Sequence, residues 1–179
     1  MKPAPFEYHA PGTVAEAVAL LDRLGDDAKV LAGGQSLVPI MALRLARFDH
    51  LVDLNGVDEL RYVRADGDVL SVGAMTVQAT LEHDPVVAGA APLIARAVRH
   101  VGHFQIRNRG TIGGSCAHAD PAAELPAVAV TLDAEFELVG PAGVRRVAAA
   151  DFFESTFMTV LAPDEVIAAV HFPRWTGRC

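Results

Sequence analysis

Apolar residues recur at Val14, Ala17, Val18 and Leu21, the i, i+3, i+4, i+7 spacing of a helix with one buried face. Thr13 and Glu16 stand where a capping box belongs, each side chain meeting an orphan backbone donor of the helix start. Gly25 follows as a residue able to end the helix in the left-handed region. Short apolar runs flank this helix: "PFEYHAP" before it, "AKVLA" at 28–32 and "HLVDL" at 50–54 after it, each read as a strand. Ser36 is the expected N-cap of a short helix running to Leu45. Residues 1–55 therefore read strand–helix–strand–helix–strand, a small parallel layer.

The pattern changes at Asn55-Gly56. "LRYVRADGDVLSVGA" alternates apolar and polar about Asp66-Gly67, a preferred hairpin turn pair. "TVQATLEHDPVV" and "AAPLIARAVRHVG" carry helical spacing. "AEFELVGPAGVRRVAA" predicts a second hairpin turning near Pro141–Gly143, and "EVIAAVHFP" a last strand. The second part, 56–179, is thus α+β with an antiparallel sheet, and the expected division is 1–55 and 56–179.

Composition narrows the class. A chain of 179 residues buries roughly 70% of its unfolded surface and needs no disulfide staple. Its two cysteines, Cys116 and Cys179, do not form a disulfide framework, which fits a reducing compartment. Fifteen basic residues against 22 acidic give a net charge of −7 with no basic block, which argues against nucleic acid. No apolar run approaches a membrane span, and the N-terminus lacks the apolar core of a signal peptide. The expectation is a cytoplasmic protein.

Two glycine-rich stretches carry the candidate chemistry. "VLAGGQSLVP" places Gly33-Gly34 between a strand and a helix, and "RNRGTIGGSCAHADPAAELP" places Gly110, Gly113 and Gly114 ahead of Ser115. Such glycines serve either a tight turn or an anion cradle, in which successive N–H groups at a helix start converge on one negative group. A pair of such loops, free of acidic residues until Asp120, suits a ligand with two phosphates. Neither has the spacing of a P-loop or of a Rossmann GxGxxG turn.

"AGGQSL", "IRNRGTIGG" and "HADPAAELP", taken together, resemble the FAD-binding subunit of the molybdenum hydroxylases, the group of carbon monoxide dehydrogenase and xanthine dehydrogenase. The resemblance extends from "PFEYHAP" to "EVIAAVHFP". It implies a para-cresol methylhydroxylase-type fold, with an N-terminal α/β FAD subdomain (1–55) and a second α+β FAD subdomain (56–179). It also implies FAD as cofactor, its pyrophosphate resting on both loops. Ala32, Gly33, Gly34, Gln35, Ser36 and Leu37 match the first loop, their amides turned to phosphate. Thr111, Ile112, Gly113, Gly114 and Ser115 match the second, Ser115 standing where asparagine is frequent. Glu124 matches an acidic ribose contact that is often aspartate, with Asp120 a second candidate, and Ile167 matches an apolar position near the adenine.

The role implied is electron transfer. Substrate is oxidised on a molybdopterin-binding large subunit, and electrons reach FAD through an iron–sulfur small subunit before passing to an acceptor. No general base is expected, so no catalytic residue is named. Relatives usually continue with a further α+β domain, which this sequence lacks, so the alternative is a truncated, non-catalytic assembly subunit with little or no flavin. Three other signals are read as structural. His100, His103 and His118 lack carboxylate or thiol partners and are not expected to bind metal. Cys116 reads as a packed loop residue, and Asp120-Pro121 as a helix start. Arg107 and Arg109 fit phosphate binding, loop pinning or a partner surface equally.

Overall fold

Thr13 starts the first helix by accepting a hydrogen bond from Glu16 N at 3.1 Å. The box does not close as expected: the Glu16 carboxylate accepts from Gly12 N at 2.8 Å, one residue before the cap. This is a computed structural model, and it describes residues 2–177. In chain order, β1 (Glu7–His9), α1 (Val14–Leu24), β2 (Ala28–Leu31), α2 (Leu37–Ala42) and β3 (His50–Asp53) come first. Then follow β4 (Val63–Asp66), β5 (Val69–Gly73), α3 (Gln78–His83), α4 (Pro85–Ala90), α5 (Pro92–Val98), α6 (Phe104–Arg107), α7 (Ile112–His118) and α8 (Glu124–Thr131). The remainder is β6 (Glu135–Gly140), β7 (Gly143–Ala148), α9 (Ala149–Phe152), β8 (Phe153–Ser155), β9 (Met158–Thr159) and β10 (Val166–Pro173).

The first part is a three-stranded parallel sheet in the order β1-β3-β2, with Leu51 opposite both Tyr8 and Lys29. Ala17, Val18 and Leu21 of α1 are buried and pack with Val52, Leu54 and Val57. The same cluster takes in Leu60, Met75 and Val166 from beyond residue 56, so α1 is covered from both sides of that boundary. The second part is an antiparallel sheet in the order β4-β5-β10-β6-β7. Both expected hairpins form, β4–β5 and β6–β7. Helices cover one side of this sheet through a larger core that includes Leu70, Ile94, Phe136 and Phe172. Phe136 stacks on Phe152 at 4.0 Å between ring centroids, and Phe153 meets both edge-on.

Three expected boundaries move, each for a local reason. Helix α2 ends at Ala42 rather than Leu45, because Arg44 turns left-handed (φ 58°) and Leu45 N folds back to Ile40 O at 3.0 Å. The stretch 76–87 is two helices, because the residue before a proline is kept out of helical backbone. Asp84 there is extended, and its Oδ1 accepts from Val86 N and Val87 N to start α4. Asp120-Pro121 forms a turn closed by Ala122 N donating to Asp120 Oδ1 at 2.8 Å, and helix α8 starts later, at Glu124. Among the described residues no helix is long and apolar enough to cross a membrane. Cys179 lies outside the described residues.

Candidate functional site

The two glycine loops touch. A Cβ on Gly33 would lie 2.2 Å from the Arg109 carbonyl oxygen and 2.7 Å from Gly110 Cα. One on Gly114 would lie 3.2 Å from the Ala32 Cβ. Real Cβ atoms do not approach backbone so closely, so glycine at 33 is what lets the loops close on each other. Gly34 differs: its φ is +73°, in the left-handed region where a side chain is strained.

The first loop is held from behind. Asn55 Nδ2 donates to Ala32 O at 2.9 Å and to Asp53 Oδ1 at 2.6 Å. Asp53, buried at the end of β3, also accepts from Asn55 N and from the Tyr8 hydroxyl. The Asp53 carboxylate holds the Tyr8 phenol above its ordinary pKa, chiefly through that hydrogen bond, with desolvation adding to it. Gln35 Nε2 folds onto Gly33 O at 3.0 Å. Among the described residues no protein acceptor meets the amides of Gly33, Gly34, Gln35, Ser36 or Leu37. Ser36 occupies the N-cap position of α2, but its hydroxyl makes no capping bond.

The second loop is closed. Ile112 N donates to Thr76 O at 3.2 Å and Gly113 N to Ala74 O at 2.9 Å. Gly114 N donates to Thr111 Oγ1 at 3.1 Å, and Ser115 N to Thr111 O at 3.1 Å. Thr111 is the N-cap of α7, and Gly113 and Gly114 lie in its first turn with ordinary negative φ. Their glycine character serves packing, since a Cβ on Gly113 would lie 2.6 Å from the Ala74 Cβ. Of the Thr111–Ser115 amides, only that of Thr111 is without a protein acceptor among the described residues.

Beside the first loop lies a cleft of about 260 Å³, lined by Leu31, Gly33, Gly34, Gln35, Val38, Pro39 and Arg109. Arg109 is its charged residue, and no acid lines it. The two arginines weighed together in the sequence thus separate. Arg107 pins its own loop, donating to Glu82 Oε2 at 2.8 Å and to Val101 O at 3.0 Å, whereas Arg109 faces the cleft. Spacing alone did not single out Arg109, or the bracing pair Asp53 and Asn55.

The remaining candidates lie elsewhere. Asp120 borders a second groove of about 460 Å³ between the start of α8 and β8, sharing no residue with the first cleft. Glu124 is half-buried at the first position of α8 and makes no side-chain hydrogen bond or ion pair among the described residues. Ile167 is buried in the main core on β10. It precedes Ala168, whose carbonyl accepts from Ala74 N beneath Gly113. Cys116 is fully buried, and desolvation pushes its thiol pKa far up, so it is no nucleophile. His100 and His103 are exposed, and His118 packs on Phe157.

The sequence matches the family described as "FAD binding domain in molybdopterin dehydrogenase" over residues 4–175. The chain belongs to this family. It is 49% identical over 173 residues to the carbon monoxide dehydrogenase medium chain of Hydrogenophaga pseudoflava, a match covering 97% of the chain and 60% of that protein. Its fold superposes on the solved carbon monoxide dehydrogenase of the same organism with a TM-score of 0.97 and 48% identity, covering 99% of this chain and 62% of that one. Quinoline 2-oxidoreductase from Pseudomonas putida 86 is similar at a TM-score of 0.96 and 41% identity, over 98% and 61% of the two chains. The chain therefore has the α+β fold of this FAD-binding family and spans about 60% of the length of these relatives. The donor set fits the family's cofactor: consecutive unpaired amides beside an arginine, with no acid lining the cleft, suit an anionic pyrophosphate.

Proposed function

We propose that the chain is the FAD-holding, electron-transferring part of a molybdenum hydroxylase, an oxidoreductase subunit. What carries this reading is the run of unpaired amides from Gly33 to Leu37 at the lip of the Arg109 cleft. Those amides, with the Ser36 hydroxyl, bind the pyrophosphate oxygens. Such charge-assisted bonds contribute about 1.5–3 kcal/mol each. Arg109 supplies the compensating charge, and Ala32 anchors the loop through Asn55. From the second loop, the Thr111 amide and the Ser115 hydroxyl point donors at the same ligand. Ile112, Gly113 and Gly114 act as the wall on which the first loop rests. Glu124 accepts from ribose hydroxyls, with Asp120 as the alternative acceptor, and Ile167 backs the adenine end. Residues 1–55 and 56–179 are the two subdomains between which the cofactor lies.

When bound, FAD supplies the redox chemistry, taking electrons from an iron–sulfur partner and giving them to an acceptor. This chain's residues bind and orient it, and none is asked to move a proton. The partners are a molybdopterin-binding large subunit and an iron–sulfur small subunit in a cytoplasmic complex. Substrate choice belongs, on this reading, to the large subunit; relatives named for carbon monoxide and for quinoline share this fold, which supports it.

The test is the visible spectrum of the purified chain, with the released flavin identified by chromatography. FAD bound one to one, or taken up to that ratio on addition, is the expected result. A folded, colourless chain that refuses added FAD overturns it in favour of a structural assembly role.

A further inference from the structure

At the other end of the parallel layer, three side chains converge that the flavin reading does not use. Glu7 and His9 are two apart on β1 and so share a face. The parallel register sets His50 of β3 directly opposite Glu7. His9 Nε2 lies 3.2 Å from His50 Nδ1, Glu7 Oε2 lies 3.4 Å from His50 Nδ1, and His9 Nε2 lies 4.0 Å from Glu7 Oε2. The geometry points to a divalent-cation site, of the borderline class that favours imidazole and carboxylate, with Zn²⁺ as its first occupant.

The distances carry this. A point about 2.1 Å from all three atoms lies inside that triangle, matching Zn–N bonds of about 2.0–2.1 Å and Zn–O bonds of about 2.0–2.2 Å. The separations of 3.2 and 3.4 Å suit neighbouring ligands on one tetrahedral ion; the 4.0 Å pair has to close by roughly half an ångström, which the exposed Glu7 side chain allows and which lifts the ion out of the ligand plane. A single proton between the nitrogens links one pair and leaves other lone pairs facing each other, whereas one cation meets all three. The imidazoles are about four-fifths buried and so pre-positioned, while Glu7 is 74% exposed and leaves an entry path. Water completes the fourth position. Two imidazoles and one carboxylate form the donor mixture that suits zinc and its transition-metal neighbours rather than calcium or magnesium.

His50 begins β3 and Asp53 ends it, so the ion sits roughly 10 Å from the loop anchor, at about 3.3 Å per residue. It is a clip and not a redox centre. It ties β1, a three-residue edge strand, to the central strand whose far end holds Asp53.

The test uses the untagged full chain, stripped with a chelator and titrated with ZnCl₂ by calorimetry. One saturable site per chain is expected, with a raised melting temperature. Even an outer-shell partner of a metal is worth roughly 10- to 100-fold in affinity, so Glu7→Gln, His9→Gln and His50→Gln each weaken binding by at least that order. Glu7→Gln is exposed and keeps the fold, checked by circular dichroism. The double variant His100→Gln/His103→Gln binds as the parent does. Absence of a saturable site overturns the proposal. So does parental affinity in the Glu7 and His50 variants, or loss of binding in the His100/His103 control.

Discussion

The two glycine loops look alike in sequence, and the structure gives them opposite tasks. "AGGQSL" has the carbonyls of Ala32 and Gly33 occupied, by Asn55 and Gln35, and leaves five consecutive amides without a protein acceptor among the described residues. "TIGGS" spends four of its five amides on Thr76, Ala74 and Thr111 as it starts α7. Both pairs allow close packing, at Gly33 and at Gly113, but only the first leaves its amides unpaired. A Gly-Gly pair before a helix is therefore not a binding signal until its N–H groups have been traced to acceptors.

The contrast is sharpest at Gly33, where both loops meet. Gly33→Ala puts a methyl against the Arg109 carbonyl at 2.2 Å and is expected to lose flavin altogether. Stability falls by about 1–3 kcal/mol from overpacking, read from urea unfolding of the flavin-free chain. A variant with parental flavin content contradicts the contact between loops.

Gly34→Asp comes next. It adds left-handed strain of about 1–2 kcal/mol and sets a carboxylate beside the unpaired amides, so FAD retention is lost while circular dichroism stays parental. Gly34→Asn separates the causes, since asparagine has nearly the shape and backbone strain of aspartate and carries no charge. It should retain more flavin than the aspartate variant. Equal loss in both points to backbone strain, and normal occupancy in both removes the first loop from the phosphate role.

Thr111→Ala probes the closed loop. Losing the cap on Gly114 N costs about 1 kcal/mol of stability, while FAD affinity moves less than with either first-loop variant. Flavin loss as deep as in Gly34→Asp would erase the distinction between the loops. The smallest effect belongs to Glu124→Ala, a reduction of FAD affinity seen only by titration. Unchanged affinity leaves Asp120 as the ribose acceptor.

Much of this was legible from residue pattern. The stripe Val14-Ala17-Val18-Leu21, the Asp66-Gly67 turn and the alternation in 134–149 are local signals, and the elements they name all form. "HDPVV" held a further signal, an aspartate before proline, that marks the break between α3 and α4. What was illegible depends on distant partners. Whether an amide is free is decided by residues such as Ala74 and Thr76, nearly forty positions away from the loop they close. The same limit hid Arg109, whose contrast with Arg107 rests on Glu82. It also hid the trio of Glu7, His9 and His50, joined only by strand register.

The position of β10 bears on how the chain reaches this state. It is the last of these five strands in chain order, yet it lies in the middle of their sheet, between β5 and β6. The hairpins β4–β5 and β6–β7 can form early, since each is local. Neither completes the sheet until Pro173 has been synthesised and β10 has inserted between them, pairing with β5 across about a hundred residues. Such long-range closure is slow. Until it happens, both hairpins present open edges. During synthesis, the growing chain therefore passes through an interval in which two unfinished half-sheets wait for one strand, and chaperones that shield such edges would act in that interval.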